Sequence, residues 1–344
     1  MPHYKNILGR FAKKNILVIG DVILDKYIKG NVSRISPEAP VPIVVEKESF
    51  YNTGGASSVA QNISSLGGKV TVVGRIGRDA EGSILKKHIK KNKISLDGIF
   101  EDRVYPTILK TRVMAHHQQV VRIDREDASN SGSESVNQNI RKFIEKRIND
   151  FDGVIISDYG KGMINVDLIN FVCDLALRKK KIITVDPKVE HFQFYRRVTC
   201  ITPNLKEAEN AIRNIKITSK NGNGLDVDSD KLSSEETIEK AGWELLRFLN
   251  LESILITLGE QGMKLFEVGK KVVSIHTQAK EVFDVTGAGD AVISVFTLAL
   301  TSGATKVEAA DLANFAAGIV VGKMGAVPVG KTEFIEVLKE HKVY

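Results

Sequence analysis

Cysteine is scarce in this chain of 344 residues. Only Cys173 and Cys200 are present, so a framework of disulfides cannot be the source of its stability. Long apolar runs are missing too, because the longest, at 291–300 and 316–321, fall well short of the about 20 residues that span a bilayer. The N-terminal segment carries Lys and Arg but has no small-residue cleavage site. We therefore expect a globular cytoplasmic protein with no signal peptide and no membrane contact.

Acidic residues are fewer than basic ones, since 42 Asp and Glu face 49 Lys and Arg and leave a net charge of +7. The basic residues cluster near the ends of predicted helices, at 86–93 and 178–181, where they complement the helix dipole. A nucleic-acid surface usually interleaves aromatic residues, which make up only 6% of this chain. We expect no nucleic-acid partner, whereas anionic small substrates remain compatible with the charge.

Three common site signatures are missing. No GxxxxGK[ST] run is present, which excludes a Walker-type phosphate loop. No GxGxxG follows the first predicted strand, which argues against a nicotinamide dehydrogenase. The seven histidines show no metal-ligand spacing, and His116 and His117 alternate across a predicted strand, so they cannot share one ligand face.

Short β-branched runs alternate with helical patterns along most of the chain. The runs lie at 15–20, 70–74, 154–157, 181–185 and 254–258. Strands that alternate with helices predict an α/β fold with a largely parallel sheet covered on both faces. Two extended stretches, 41–45 and 107–124, predict a small β-sheet that projects as a lid. The polar stretch 216–237 predicts a mobile surface insertion that cannot bury apolar area.

The segment 284–290, DVTGAGD, is followed directly by a helical apolar pattern. Gly287 and Gly289 permit positive φ and close backbone approach, and with Ala288 they lead into a helix start that can bind an anion. Asp290 would then lie in the first turn, placed to accept a proton from a hydroxyl that attacks a phosphoryl group. The alternative is that Asp290 only caps the helix.

Other segments carry two interpretations each. The turn at 257–262, TLGEQG, either touches a nucleotide or only joins two strands. Asn314 lies in an apolar helix and either contacts a ligand or satisfies a neighbouring carbonyl. Asn204 and Glu207 are spaced as a helix cap, and could equally organise a hydrated Mg²⁺ around phosphates.

Near the N-terminus, Asp21 follows the first strand directly and Asp25 comes four residues later. An Asp at the carboxyl end of a parallel strand can bind sugar hydroxyls. Gly54 and Gly55 open the next predicted helix and would let a ligand approach the backbone.

These motifs resemble, in order and spacing, those of the ribokinase-like (PfkB) carbohydrate kinases. The motifs are Gly54-Gly55 with its helix, TPNLKE at 202–207, TLGEQG at 257–262 and DVTGAGD at 284–290. The resemblance implies a three-layer sandwich with a small β-sheet lid. It covers a kinase domain at about 14–330, with lid segments at about 21–50 and 104–124. An N-terminal extension (1–13) and a C-terminal helix or tail (331–344) flank this domain.

Within the family, the chain looks most like kinases that act on D-glycero-β-D-manno-heptose 7-phosphate. The segments that carry this likeness are GDVILDKY at 20–27, SRISPEAPVP at 33–42, QQVVRID at 118–124, SDYGKG at 157–162 and DPK at 186–188. By resemblance, ATP phosphorylates the anomeric O1 and gives the 1,7-bisphosphate, with Mg²⁺ as cofactor and a monovalent-cation requirement left open. A homodimer through the lid sheets is also implied.

The resemblance implies a role for each matched residue. Asp290 would be the general base, with the backbone of Gly287, Ala288 and Gly289 as the anion site. The residues implied at the nucleotide are Asn204, Glu207, Thr257, Gly259, Gly262 and Asn314, with Glu207 near the metal and bound to it through water. The residues implied at the sugar phosphate are Asp21, Asp25, Gly54, Gly55, Arg122, Lys161 and Lys188.

The chain departs from the family pattern at Ser58, where the helix after the two glycines usually carries Asn. This departure keeps a kinase of another sugar as an alternative, and a catalytically silent binding protein is a further one. The HxGH motif of bifunctional relatives is missing. We therefore expect adenylyl transfer to come from another polypeptide.

Overall fold

The computed structural model describes residues 4–115, 118–127, 132–218, 225–227, 231–279, 281–323 and 325–344. The strands are β1 (Asn15–Gly20), β2 (Val22–Ile35), β3 (Pro42–Gly55), β4 (Lys69–Gly77), β5 (Ile99–Asp102), β6 (Ile108–Ala115), β7 (Gln118–Arg125), β8 (Gly153–Ser157), β9 (Ile182–Asp186), β10 (Cys200–Ile201), β11 (Ser253–Thr257), β12 (Met263–Glu267) and β13 (Val273–Ile275). The helices are α1 (Lys5–Arg10), α2 (Ala56–Ser65), α3 (Ala80–Lys91), α4 (Glu134–Arg147), α5 (Val166–Arg178), α6 (Leu205–Thr218), α7 (Glu235–Leu249), α8 (Ala288–Thr301), α9 (Lys306–Val321) and α10 (Lys331–Glu340). The predicted arrangement of His116 and His117 lies outside the described residues.

Nine strands form a central sheet in the order β13-β12-β11-β10-β9-β8-β1-β4-β5. The strands from β11 to β5 pair in parallel, and β12 and β13 add an antiparallel edge. Helices cover both faces because the side chains of a strand alternate between them. In β1, Ile16 and Val18 pack with α2, α8 and α9, whereas Leu17 and Ile19 pack with α4 to α7. The three-layer α/β prediction is confirmed.

A separate four-stranded sheet, here called the small sheet, has the order β3-β2-β6-β7. Its strands β2 and β6 run parallel, and the outer pairs are antiparallel. The two extended stretches predicted from the sequence belong to this sheet. Strand β2 starts directly after Asp21, and β3 ends directly before α2, so one end of the small sheet joins the carboxyl edge of the central sheet.

The prediction that 216–237 cannot bury apolar area is wrong, and residues 219–224 and 228–230 of this stretch lie outside the described residues. Helix α6 extends to Thr218 and α7 starts at Glu235. Between them Leu225, Val227 and Leu232 are buried in the same core as α4 to α7. Because these apolar residues stand singly among polar ones, they produce no periodic pattern in the sequence.

Helix α8 crosses the middle of the molecule, and every residue from Asp290 to Thr301 is buried. It packs against α9, α2 and the strands β8 and β9. An apolar helix in such a place is fixed on all sides, and its N-terminus is therefore held rigidly at the sheet edge. Within the described part of the chain, no helix is both long and apolar enough to cross a membrane.

Candidate active site

Acidic side chains gather at the carboxyl edge of the central sheet. Asp21 follows β1, Asp158 follows β8, Asp186 ends β9, and Glu207 lies in the first turn of α6 after β10. Parallel strands bring these ends to one edge of the sheet, although the residues are far apart in sequence. The N-terminus of α8, with Asp290, meets the same edge.

The GAGD segment is held in place by Asp284. Its Oδ1 accepts hydrogen bonds from the backbone N–H and the hydroxyl of Thr286 at 2.9 and 2.6 Å, and its Oδ2 accepts the N–H of Gly325 at 3.0 Å. Gly287 has the positive φ expected, +84°, at the N-cap of α8. Gly289 does not use this conformational freedom, because it lies inside the first helical turn with ordinary φ. A Cβ at Gly289 would meet open space, so this side of the helix start is accessible.

Asp290 is buried in the first turn of α8, and the Tyr159 hydroxyl donates a hydrogen bond to its Oδ1 at 2.5 Å. The side chain of Ser58 in α2 lies near enough to the carboxyl to lower its pKa. Burial raises the pKa of Asp290 to about 6, against the lowering effect of these two side chains. A carboxylate with such a pKa is ionised at neutral pH and is a stronger base than an exposed one.

The carboxylate of Asp21 accepts hydrogen bonds from the backbone of the loop after β8. Its Oδ2 accepts the backbone N–H groups of Tyr159 and Lys161, each at 3.1 Å, and its Oδ1 accepts that of Met163 at 3.0 Å. The side chain is 1% exposed. The sequence suggested that Asp21 binds sugar hydroxyls, whereas the structure uses both oxygens to hold the backbone of 159–163.

Two further side chains fix the same loop. The Tyr105 hydroxyl donates to the carbonyl of Lys161 at 2.6 Å, and the guanidinium of Arg75 donates to the carbonyl of Gly162 at 2.9 Å. Arg75 is 1% exposed and stacks on Tyr105, with 4.4 Å between the guanidinium carbon and the ring centre. The loop that carries Tyr159 is thus bound on several sides by buried polar groups.

Asp25 lies on β2 and forms an ion pair with Arg112 of the neighbouring strand β6. A Cβ at Gly54 would lie 2.3 Å from Oδ2 of Asp25, and one at Gly55 would lie 2.2 Å from the carbonyl oxygen of Asp21. Gly55 also has a φ of +57°. The sequence suggested that these glycines let a ligand approach the backbone. The structure gives another reason for glycine at both positions, because a Cβ would collide with Asp25 or Asp21.

A group of cations lies where the small sheet meets the loop after β8. Lys110 is opposite Asp124 in the β6–β7 pairing, and Arg122 donates to Asp124 at 3.0 Å. Lys161 forms an ion pair with Glu126 at 2.6 Å. Burial lowers the pKa of Lys110, and the charges of Lys161 and Arg122 lower it further. These three cations face one region, which favours an anion there.

Lys188 borders the acidic residues of the sheet edge. Its side chain lies over Gly160, and its charge lowers the pKa values of Glu207 and Asp186, which burial raises in both cases. Of the three basic residues predicted for the phosphate groups, Arg122 and Lys161 thus act on Lys110, and Lys188 acts on Glu207 and Asp186.

Asn204 and Glu207 form the helix cap that one interpretation predicted. The Asn204 N–H donates to Oε2 of Glu207, and the Glu207 N–H donates to Oδ1 of Asn204, both at 2.9 Å. Thr257 is adjacent, since its N–H donates to the carbonyl of Pro203 at 2.9 Å. Glu207 would suit Mg²⁺ bound through a water, because this cation retains waters and needs few carboxylates. A ready-made cluster of three metal-binding side chains is not found among the described residues.

Gly262 and Asn314, also predicted for the nucleotide, border the end of β13. A Cβ at Gly262 would lie 2.0 Å from the carbonyl oxygen of Ile275, so a structural contact requires this glycine. Asn314 donates to the carbonyl of His276 at 2.6 Å, as its alternative interpretation predicted. At Gly259, with a φ of +61°, a Cβ would meet open space.

A cavity of about 470 Å³ is lined by the segment before GAGD, by α9 and the residues that follow it, and by α10. Its lining includes Gln278, Phe283, Phe315, Gly318, Lys323 and Glu333. Among the described residues, this lining contains none of those predicted for the nucleotide, although Gly262 and Asn314 contact the segment 275–277 directly before Gln278.

Sequence reasoning missed several residues of the site. Tyr159 was visible only as part of the SDYGKG motif, and Ser58 was noted only as a departure. Lys110 and Arg112 could have been recognised as a pair of cations on one face of the small sheet, because residues two apart on a strand share a face. Asp158 contacts Nδ1 of His191 and accepts a hydrogen bond from the Tyr195 hydroxyl, and nothing in the sequence spacing suggests these contacts.

Comparison with known proteins agrees with this geometry. The sequence profile described as "pfkB family carbohydrate kinase" matches residues 13–332. The chain belongs to this family. The match spans both sheets and every residue predicted for the site.

Curated relatives give a narrower likeness. The chain is 40% identical over 333 residues to the "Bifunctional protein HldE" of Desulfatibacillum aliphaticivorans, and 39% identical over 329 residues to that of Helicobacter pylori strain J99. These matches cover 97% and 95% of this chain. The chain spans 65% and 67% of the length of the two relatives.

Solved structures confirm the fold. The ribokinase of Arabidopsis thaliana complexed with ribose and ATP superposes with a TM-score of 0.71 at 18% identity, covering 95% of this chain and 99% of that one. Phosphofructokinase-2 from Escherichia coli in complex with potassium gives 0.75 at 17% identity, with 96% and 99% covered. The ribokinase-like fold class predicted from the sequence is therefore confirmed.

Proposed function

We propose that this chain transfers the γ-phosphoryl group of ATP to the anomeric O1 of D-glycero-β-D-manno-heptose 7-phosphate in the cytoplasm. The product is the 1,7-bisphosphate, on the way to ADP-heptose for lipopolysaccharide core. The observation that carries the proposal is the buried carboxylate of Asp290 in the first turn of α8, to which the hydroxyl of Tyr159 donates a hydrogen bond. The motifs shared with heptose 7-phosphate kinases, together with the relatives named HldE, support this sugar.

Asp290 acts as the general base. It accepts the proton of the O1 hydroxyl while O1 forms its bond to the γ-phosphorus and the bond from this phosphorus to the bridging oxygen breaks, which releases ADP. The backbone N–H groups at the N-terminus of α8 stabilise the negative charge on the transferred group. Base assistance of this kind contributes about 10²- to 10⁴-fold to the rate.

The nucleotide lies along the edge formed by Asn204, Thr257 and Gly259. Glu207 holds Mg²⁺ through water, and the metal, when bound, neutralises charge on the phosphates. Lys188, beside Glu207, contacts the phosphoryl group in transfer. Gly262 and Asn314 do not bind the nucleotide directly. Both contact the segment at the end of β13 and so determine its position beside the nucleotide.

The phosphate group that the sugar already carries is placed at the small sheet. Lys161 and Arg122 bind it, together with Lys110, and their present partners Glu126 and Asp124 hold the cations in place before the substrate arrives. Asp25 lies between this group and Asp290, where it can accept hydrogen bonds from sugar hydroxyls. Asp21 positions the loop rather than the sugar.

The decisive experiment is ³¹P NMR of the purified protein with Mg·ATP and D-glycero-β-D-manno-heptose 7-phosphate, with Asp290→Asn in parallel. We expect a new anomeric phosphate signal from the wild type, and a rate at least ~100-fold lower from the variant. A variant as active as the wild type would remove Asp290 from the role of base.

Another sugar phosphate is the second candidate, and Ser58 favours it, because this residue lies near the carboxyl of Asp290 where the family pattern has Asn. A panel of phosphorylated and unphosphorylated sugars in the same assay separates the two. Faster turnover of an unphosphorylated sugar would contradict the heptose assignment. If no sugar is phosphorylated, the remaining candidate is a binding protein without catalytic activity.

A homodimer through the small sheets belongs to the same proposal. On the sheet face opposite to Asp25, the apolar side chains of Ile28, Val113 and Val121 are cross-strand neighbours, and Ile123 lies next to them. Val121 and Ile123 are 46% and 58% exposed. Analytical ultracentrifugation should find a dimer that Ile123→Asp disrupts, whereas Val268→Asp, at an equally exposed valine outside the small sheet, should not affect it.

A further inference from the structure

Two hydroxyl side chains lie near the carboxylate of Asp290, on elements that are far apart in sequence. The Tyr159 hydroxyl donates to Oδ1 at 2.5 Å, and Ser58 lowers the pKa of the carboxyl. Tyr159 belongs to the loop after β8, and Ser58 belongs to α2. The two residues approach the first turn of α8 from different sides. Neither contact can be formed by α8 alone.

Tyr159 is fixed at both ends. Its ring packs against Ile23, Tyr105 and Ile108 at the base of the small sheet. Its backbone N–H is held by Asp21, and its hydroxyl reaches Oδ1 of Asp290 at 2.5 Å. Ser58 is buried as well, in a helix that packs closely on α8. Both donors are thus anchored by packing that does not depend on a substrate.

We infer that Tyr159 and Ser58 are positioning residues for the general base. Their hydroxyls hold the Asp290 carboxylate in one orientation and favour its ionised form, so that a lone pair is ready for the sugar hydroxyl. This inference rests on the proposed role of Asp290. It assigns a purpose to Ser58, which the family pattern treats as a departure.

The electrostatic surroundings explain why such help is needed. The charged groups that face Asp290 are Asp25 from β2 and Asp186 from β9, and both are acidic. Burial is the main reason why the pKa of Asp290 is raised to about 6, and the Asp25 charge raises it further, while both hydroxyl donors lower it. Burial also raises the pKa of Tyr159 well above its usual value, so it remains a donor through the physiological range.

The test is the pH dependence of kcat/KM for Tyr159→Phe, Ser58→Ala and the double variant. A base must be ionised to act, so activity falls on the acid side as Asp290 gains a proton. Loss of a hydrogen bond to the ionised form raises its pKa. We therefore expect this acid limb to move to higher pH by about one unit in each single variant and further in the double one, with activity largely restored above pH 8.

Tyr4→Phe is the matched control, because Tyr4 also donates to a partly buried acid, Asp311 at 2.9 Å, far from this site. Its acid limb should coincide with that of the wild type. A Tyr159→Phe profile that is lower at every pH but unmoved would show a structural role only and would overturn the inference.

A second measurement does not depend on the substrate. In ¹³C NMR of the labelled aspartate carboxyl groups, the Asp290 signal is assigned by its loss in Asp290→Asn. It should titrate near pH 6 in the wild type and at higher pH in Tyr159→Phe and Ser58→Ala. If Asp290→Asn remains active while this shift appears, the proposed function fails and the hydroxyl contacts stand. If Asp290→Asn is inactive and no shift appears, this inference alone fails.

Discussion

Arg112 forms an ion pair with Asp25 across two parallel strands of the small sheet. Both side chains are largely buried, and the guanidinium also stacks on Tyr27, 5.4 Å from its ring centre. A negative charge so close to Asp290 needs a partner of this kind, since a buried unpaired carboxylate is costly.

Arg112→Met leaves Asp25 buried without its cation. We expect the free energy of unfolding, measured with urea, to fall by about 3 kcal/mol. Arg197→Met is the control, because the pair of Arg197 with Asp174 is about half exposed on both sides and should contribute less than ~1 kcal/mol. Equal losses in both variants would show that burial of the Asp25 pair has no special effect.

Asp21→Asn tests whether the loop at 159–163 depends on this carboxylate. An amide replaces one acceptor oxygen by a donor, which then faces backbone N–H groups of the loop. We expect kcat to fall about 100-fold through displacement of Tyr159 and Lys161, with the affinity for ATP unchanged.

The control for this variant is Asp152→Asn. Asp152 is an exposed Asp whose Oδ2 accepts the N–H of Asn15 at 2.8 Å, well away from the site. It should keep its kcat. An Asp21→Asn variant with wild-type kcat would mean that the packing of the loop suffices without Asp21.

The burial of Asp290 also predicts how stability depends on pH. Its pKa is raised to about 6 in the folded chain, against about 3.9 when unfolded. Between these values the folded state binds a proton that the unfolded state has lost, so this group's contribution declines as pH rises from about 4 to 6. Asp290→Asn should therefore gain stability relative to the wild type over this window in urea melts. A constant difference would contradict the raised pKa.

The fold was largely predictable, because its strands have local signals. The run 15–20 is the strand β1 with the same ends, since β-branched residues before a Gly–Asp turn leave little alternative. The buried residues Leu225 and Val227 were not predictable, because isolated apolar residues in a polar stretch form no pattern. Their burial depends on packing against helices α4 to α7, which lie before and after them in the sequence.

The roles of site residues were less predictable than their positions. Asp21 was located correctly at the carboxyl end of β1, but its role depends on the path of a loop about 140 residues later in the chain. Asn204 caps α6 through its contact with Glu207, three residues later, and the spacing of the two residues had already indicated this cap as one interpretation. Contacts within a few residues can be read from spacing, whereas contacts across the fold cannot.

Lys110 should distinguish a phosphorylated sugar from a plain one. A charge-assisted hydrogen bond contributes about 1.5–3 kcal/mol, so Lys110→Met should raise KM for the sugar phosphate by about 10- to 100-fold. KM for any unphosphorylated sugar that is turned over should stay the same, as should KM for ATP. Lys188→Met is the comparison, and we expect it to lower kcat instead. If Lys110→Met raised KM equally for both kinds of sugar, Lys110 would stabilise the protein rather than bind the phosphate group.

Glu207→Gln separates the two functions that the cap residue can have. A Gln at this position can still accept the Asn204 N–H, so the helix cap and the melting temperature should be preserved. The carboxylate charge is lost, and we expect the Mg²⁺ concentration needed for half-maximal activity to rise about 10-fold. Asn204→Ala should do the reverse, with a lower melting temperature and a smaller change in Mg²⁺ dependence. If Glu207→Gln leaves the Mg²⁺ dependence unchanged, Glu207 only caps α6, and the metal must be held by the nucleotide and by other residues of the sheet edge.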